Sequence, residues 1–229
     1  MKKRRIMIKK FESYLRINKI ISILREVDEA KLLNVVQALY AGGIRILEIA
    51  FCQQDPASFI NISKQIYMLN KLYANRMLFG IGTVLSVEQV NIAADAGASF
   101  IVSPNTNIDV IKQTKEKNIV SIPGAMTPSE ILIAHDCGAD YVKVFPAATL
   151  GVAYVKAIRS PIRHVPLIAV GGIDETNAGE FIRAGACAVG VGGTLVNKMI
   201  MDQDKYKELE EAAKALSQIT NSMQNVKAG

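Results

Sequence analysis

Four stretches of this chain repeat one pattern: "LYAGGIRILEIA" (39–50), "ADAGASFIVSP" (94–104), "HDCGADYVKVFP" (135–146) and "IRAGACAVGVGG" (182–193). Each closes a helix-like segment, passes through a glycine and enters a short, almost wholly apolar run. Glycine suits that junction because the residue ending a helix often turns left-handed, where a side chain would be strained. Short apolar runs without polar alternation read as strands covered on both faces, and such strands form parallel sheets packed with helices.

Four more runs fit the same role: "IISILRE" (20–26), "LFGIGTV" (78–84), "VSIPGAM" (120–126) and "PLIAVGGI" (166–173). Helix-length segments lie between the strands and open on caps or first-turn prolines. These are Asp28, Asp55-Pro56, Ser86 and Thr127-Pro128. Eight such units predict a (β/α)8 TIM barrel with an extra N-terminal helix; a doubly wound open sheet is the alternative. No linker or low-complexity stretch interrupts the alternation. Residues 1–229 therefore read as one barrel domain, with residues 1–18 as a basic N-terminal helix or extension.

The chain has 229 residues, half of them hydrophobic, enough for a core that needs no disulfide or metal. Its net charge of +6 is local: six of 27 basic residues stand in the first ten positions, leaving 21 against 21 acidic ones. No basic face with interleaved aromatics follows, so nucleic acid is not an expected partner. The tail reads as solvated. Only "IMI" separates its two basic clusters, too little for a secretory core. No apolar run is long enough to span a membrane. Cys52, Cys137 and Cys187 have no CxxC spacing and read as reduced thiols, which points to the cytoplasm.

In such barrels chemistry gathers at the strand C-terminal ends. There the sequence turns polar or glycine-rich: Arg25, Glu48, Thr83, Ser103-Pro104, Gly124, Lys143, Gly171-Gly172 and Gly192-Gly193-Thr194. Strand parity turns Ile46, Glu48 and Ala50 inward, and likewise Tyr141, Lys143 and Phe145. Glu48 and Lys143 then share one interior. A buried lysine loses basicity and becomes a nucleophilic amine, and a carboxylate beside it can move protons. A buried structural ion pair is the alternative. The glycine pairs at 171–172 and 192–193 suit close approach of an anion such as phosphate, or simply tight turns. Neither matches a dinucleotide fingerprint. His135 and His164 lie away from this rim, Cys52 lies just beyond the second strand, and no metal-ligand spacing occurs.

"AGGIRILEI", "GIGTVLSVEQ", "FIVSP", "PGAMTPSE", "KVFPA" and "VGGI" stand in the order and spacing of the class I KDPG/KHG aldolases, and the chain resembles that family over about residues 17 to 215. The resemblance implies metal-independent, cofactor-free cleavage of 2-keto-3-deoxy-6-phosphogluconate to pyruvate and glyceraldehyde 3-phosphate. 4-Hydroxy-2-oxoglutarate, the galactonate epimer or an unphosphorylated sugar acid are variants of the same reaction. It implies Lys143 as the Schiff-base lysine and Glu48 as the acid/base. Thr83 and Pro104 would lie around the pyruvate portion, Gly171, Gly172, Gly193 and Thr194 around the phosphate, and Arg25 would serve as a substrate-binding arginine. A cytoplasmic homotrimer acting on a small phosphorylated 2-keto acid is the implied setting. Two positions depart from the family's usual pattern: Cys52 stands where an arginine is frequent, and Val170 replaces a threonine before "GGI". Another phosphate-binding barrel enzyme and a non-catalytic sugar-phosphate sensor are the competing readings.

Overall fold

The computed structural model describes residues 2–223, apart from the side chains of residues 2, 3, 18 and 198. Helix α1 (Lys2–Asn18) leads into β1 (Ile20–Leu24), α2 (Glu29–Ala41), β2 (Ile46–Ala50), α3 (Ser58–Leu72) and β3 (Leu78–Gly82). Then come α4 (Val87–Asp95), β4 (Phe100–Val102), α5 (Ile108–Glu116), β5 (Val120–Ile122), β6 (Gly124–Ala125) and α6 (Pro128–Asp136). The chain continues through β7 (Val142–Val144), α7 (Ala147–Leu150), α8 (Val152–Arg159), β8 (Leu167–Val170) and α9 (Ala178–Arg183). It ends with β9 (Ala188–Val191), α10 (Lys198–Asp202) and α11 (Tyr206–Ser222).

The strands form one parallel sheet in the order β5-β4-β3-β2-β1-β9-β8-β7-β6. The two ends of that series are a single strand interrupted at Pro123. Proline has no N–H for the ladder, but its carbonyl still accepts. Tyr141 N–H donates to Ser121 O (3.2 Å), Lys143 N–H to Pro123 O (2.8 Å) and Phe145 N–H to Ala125 O (3.1 Å). These bonds run past the break, so the sheet closes. The expected (β/α)8 barrel is present, its fifth strand cut in two.

The repeated junctions behave as their glycines require: Gly43, Gly97, Gly138 and Gly185 all take φ between +79° and +104°. Asp28 and Ser86 cap α2 and α4, and Thr127 and Glu130 form a capping box on α6. The start expected at Asp55-Pro56 falls later. Asp55 Oδ1 instead accepts the Ala57 N–H in a turn, and α3 begins at Ser58.

The core has two layers. Leu47, Ile49, Phe51, Val142 and Val144 pack outward against the helices. Ile21, Ile23, Ile46, Leu78, Phe100, Tyr141 and Ile168 fill the barrel, and Phe11 and Leu15 of α1 join them. The Phe11 ring lies 5.3 Å from Phe100 and 5.2 Å from Tyr141, so α1 closes the strand N-terminal end. The expectation of a solvated basic tail fails at Arg4. Arg4 pairs with the nearly buried Asp140 at 2.6 Å, and Asp140 also accepts the Ser121 N–H at 2.9 Å. A carboxylate sequestered there draws a cation down from α1. The side chains of Lys2 and Lys3 lie outside the described residues. His135 and His164 sit at this same end, rings edge-to-face at 5.2 Å. No helix among the described residues is long and apolar enough to cross a membrane.

Candidate active site

Glu48 lies in the middle of β2, registered between Ile23 and Gly80. Lys143 lies in the middle of β7, registered between Gly124 and Ile168. Both therefore sit below the strand ends, deeper than expected, and are only 2% and 3% exposed. They are not an ion pair at 4.0 Å or less, and Glu48 Oε1 has no hydrogen-bond partner. Burial lowers the Lys143 pKa, Glu48 pulls it back up, and Arg25 lowers it further. Burial raises the Glu48 pKa, and Lys143 and Arg25 oppose that rise. Each group is thus driven towards its neutral form. The Lys143 ammonium position lies 4.6 Å from the centre of the Phe145 ring.

The motif "GIGT" makes space for this arrangement. A Cβ on Gly82 would come within 1.7 Å of Glu48 Oε1, and one on Gly80 within 2.6 Å of the Phe100 ring. Glycine at 82 is what lets the Glu48 carboxyl occupy the interior. Thr83 follows in the left-handed region at φ +58°, which costs a β-branched residue about 1–3 kcal/mol. Its Oγ1 lies 3.5 Å from Arg25 Nη1, joining the rims of β1 and β3.

A cavity of about 410 Å³ opens beside this pair over the ends of β1, β8 and β9. It brings together Arg25, Gly171, Gly172, Gly193 and Thr194, and among the described residues Arg25 is the only charged one in its lining. Phe145 connects it to the lysine: its ring lines the cavity and lies against Lys143. Gly171 and Gly172 are both left-handed, at φ +99° and +70°, so their backbone needs glycine. Gly193 differs, because a Cβ there would meet nothing within 4 Å. The backbone N–H groups of Gly193 and Thr194 have no partner among the described residues, while the Thr194 hydroxyl donates to Ile173 O. Unpaired N–H groups over open space suit an anion.

Pro104 is not brought into that lining. Its carbonyl stands 2.3 Å from where a Gly124 Cβ would be, against the broken fifth strand. Cys52 faces Glu26, Sγ to Oε1 3.9 Å, and lines a separate cavity of about 440 Å³ with Asp28 and Asp55. Val170 is 6% exposed and forms an apolar wall of the glycine cavity with Ile23. Sequence reasoning missed Gln53 and Gln89, which hold the Thr83 loop. The one available signal was Gln89 in the first turn after the Ser86 cap. No group of three or more metal-ligating side chains occurs among the described residues.

Fold and interior together define a parallel (β/α)8 barrel with a desolvated lysine and carboxyl in its centre and a glycine-lined cavity at its rim. A sequence model described as KDPG and KHG aldolase matches residues 11–212, and the chain belongs to that family of aldolases, carbon–carbon lyases acting on small keto acids. It is 36% identical over 177 residues to a Rhizobium meliloti protein named "Probable 2-dehydro-3-deoxy-6-phosphogalactonate aldolase", covering 77% of this chain and 81% of that one. It is 35% identical over 178 residues to the 2-dehydro-3-deoxy-phosphogluconate aldolase of Treponema pallidum, covering 77% and 80%. The solved structure described as "Native KDPGal structure" superposes with a TM-score of 0.81 at 27% identity, covering 90% of this chain and 96% of that one.

Proposed function

We propose that this protein is a class I aldolase that cleaves a 6-phosphorylated 2-keto-3-deoxyhexonate to pyruvate and glyceraldehyde 3-phosphate through a Schiff base on Lys143. The observation that carries this is the buried Lys143–Glu48 pair, with lysine basicity lowered by burial, in a barrel of the aldolase family. The neutral amine of Lys143 adds to the C2 ketone, and the neutral Glu48 carboxyl protonates the carbinolamine hydroxyl, whose departure as water leaves a protonated imine and the Glu48 carboxylate. Glu48 takes the C4 hydroxyl proton as the C3–C4 bond breaks. The bonding pair moves into the enamine and the aldehyde departs. Glu48 then returns the proton to C3, and water adds at C2, giving up a proton to the Glu48 carboxylate, to release pyruvate and the free amine. The unpartnered Oε1 suits Glu48 to this shuttle.

Arg25 and Thr83 take the substrate carboxylate in this reading, with Arg25 replacing the cation missing at Cys52. Pro104 shapes the pyruvate side, and Gly171, Gly172, Gly193 and Thr194 take the phosphate. The apolar Val170 wall offers no hydrogen bond to a C4 hydroxyl. That removes a contact on which selection of the gluconate configuration could rest, and the 36% identity to a galactonate-named relative makes the galactonate epimer the first reading. The gluconate epimer is the second reading, carried by the 35% identity to a gluconate-named relative. A cytoplasmic homotrimer without nucleic-acid or membrane partners is the setting proposed.

Incubation with pyruvate and borohydride, followed by mass spectrometry, is the test. A reduced pyruvate adduct on Lys143 is expected; folded protein without one overturns the mechanism. Turnover of the two phosphorylated epimers then decides between the substrate readings.

A further inference from the structure

The loop after β3 is belted by two glutamines. Leu85 N–H donates to Gln89 Oε1 (2.6 Å), Gln89 Nε2 donates to Gln53 Oε1 (2.8 Å), and Gln53 Nε2 donates to Thr83 O (2.6 Å). The run starts and ends on the same loop, two residues apart. A backbone donor at one end and a backbone acceptor at the other leave one orientation for both amides, so the run has a direction. Gln89 is buried, and its own N–H donates to Ser86 Oγ at 3.2 Å, anchoring the run in the first turn of α4. Gln53 brings in the loop after β2. Between these anchors Thr83 is held at φ +58°, a conformation threonine adopts only under constraint. Its hydroxyl lies 3.5 Å from Arg25, and Gly82 before it packs on the Glu48 carboxyl.

We infer that Gln53 and Gln89 are positioning residues, which lock Thr83 left-handed and so aim its hydroxyl, with Arg25, at the carboxylate of the bound 2-keto acid. This rests on the aldolase reading above. The direction of the run makes the proposal specific. Gln53→Glu keeps the shape but sets an acceptor against the Thr83 carbonyl. Gln89→Glu still receives the Leu85 N–H but has nothing to donate to Gln53. A side chain that only filled space would tolerate either change.

The test compares full-length wild type, Gln53→Glu, Gln89→Glu, Thr83→Gly and the Gln53→Glu/Thr83→Gly double variant. Formation of the borohydride-reduced pyruvate adduct on Lys143 is followed against pyruvate concentration, alongside thermal melting. In Gln53→Glu and Gln89→Glu the half-saturating pyruvate concentration rises about tenfold, the weight of one well-placed hydrogen bond. The rate at saturation stays within about twofold, since the amine is untouched. In the Thr83→Gly background, where glycine accepts the conformation freely, adding Gln53→Glu changes half-saturation by less than about twofold. A wild-type adduct with unchanged half-saturation in both glutamate variants overturns the relay and leaves the aldolase reading standing. An equal loss in both backgrounds also overturns it, because Gln53 would then act elsewhere than through Thr83. Absence of any wild-type adduct overturns the aldolase reading itself. Should Gln53→Glu fail to fold, Gln89→Glu and the Gln89→Glu/Thr83→Gly double variant carry the same comparison.

Discussion

Lys143 is under two opposed influences. Burial disfavours its charged form and lowers its pKa from 10.5, while Glu48 raises it. Glu48 is the mirror case, raised from 4.5 by burial and lowered by Lys143, so the two titrate as a pair. Between the folded Lys143 pKa and 10.5 the unfolded chain binds more protons, so stability from this group rises with pH across that window. The raised Glu48 acts in the opposite sense: between 4.5 and its folded pKa the folded chain binds more protons, and stability falls as pH rises there. Reactivity follows the amine. Adduct formation with pyruvate is expected to rise with pH through a pKa below the ordinary lysine value. Glu48→Gln removes the anion that raises it, so the rising limb moves to lower pH. Aldol turnover at the same time falls by about 10²–10⁴-fold, because an amide cannot shuttle the proton. Borohydride trapping rates across a pH series check this. A limb that moves upward, or stays in place, removes Glu48 as the charge partner of Lys143.

The elements were legible where one physical rule governed a whole segment. Glycine after a helix marked four junctions, all left-handed in the structure, and the period of two placed Tyr141, Lys143 and Phe145 on the inner face and Val142 and Val144 on the outer. What stayed hidden depends on partners distant in sequence. The cut at Pro123 is visible as a proline, but the continuity of the strand rests on bonds from residues 141–145. Arg4 reads as one more solvated cation until Asp140, far along the chain, is seen beneath it. Gln53 and Gln89 look like ordinary loop and helix polars, and no local pattern puts a threonine in the left-handed region. The amphipathic part of α1 shows the same dependence. Phe11 is fully buried against Phe100 and Tyr141 in the layer beneath Lys143. Phe11→Ala is therefore expected to cost about 3–5 kcal/mol, the range for truncating a buried aromatic, read as a lowered urea midpoint. A loss below about 1 kcal/mol would mean that the barrel interior closes without the helix.

On the scale of the whole molecule the two ends of the barrel differ in kind. Its strand N-terminal end is plugged by an apolar helix face, and its other end opens into a cavity walled by glycine backbone and the apolar Ile23, Phe145 and Val170, where Arg25 is the one charged residue among the described lining. Such a cavity selects ligands by how closely they can approach, so its glycines separate into two kinds. Gly171 holds φ +99°, and a Cβ there would press the Phe145 ring and the Pro146 backbone at 3.1–3.2 Å. Alanine at 171 is thus expected to destabilise the fold, by about 1–2 kcal/mol from backbone conformation alone. Gly193 has no unusual φ and open space where a Cβ would stand. Alanine there leaves the melting temperature unchanged but puts a methyl group in the path of an anion approaching the Gly193 and Thr194 N–H groups. The expected result is a KM for the phosphorylated 2-keto-3-deoxy acid raised by about tenfold, with KM for the unphosphorylated analogue within about twofold of wild type. Equal losses for both forms would show that the free N–H groups do not receive the phosphate. Selection of the substrate would then pass to Arg25 and the Val170 wall, which lie on the same cavity but meet the carboxylate and the C4 region.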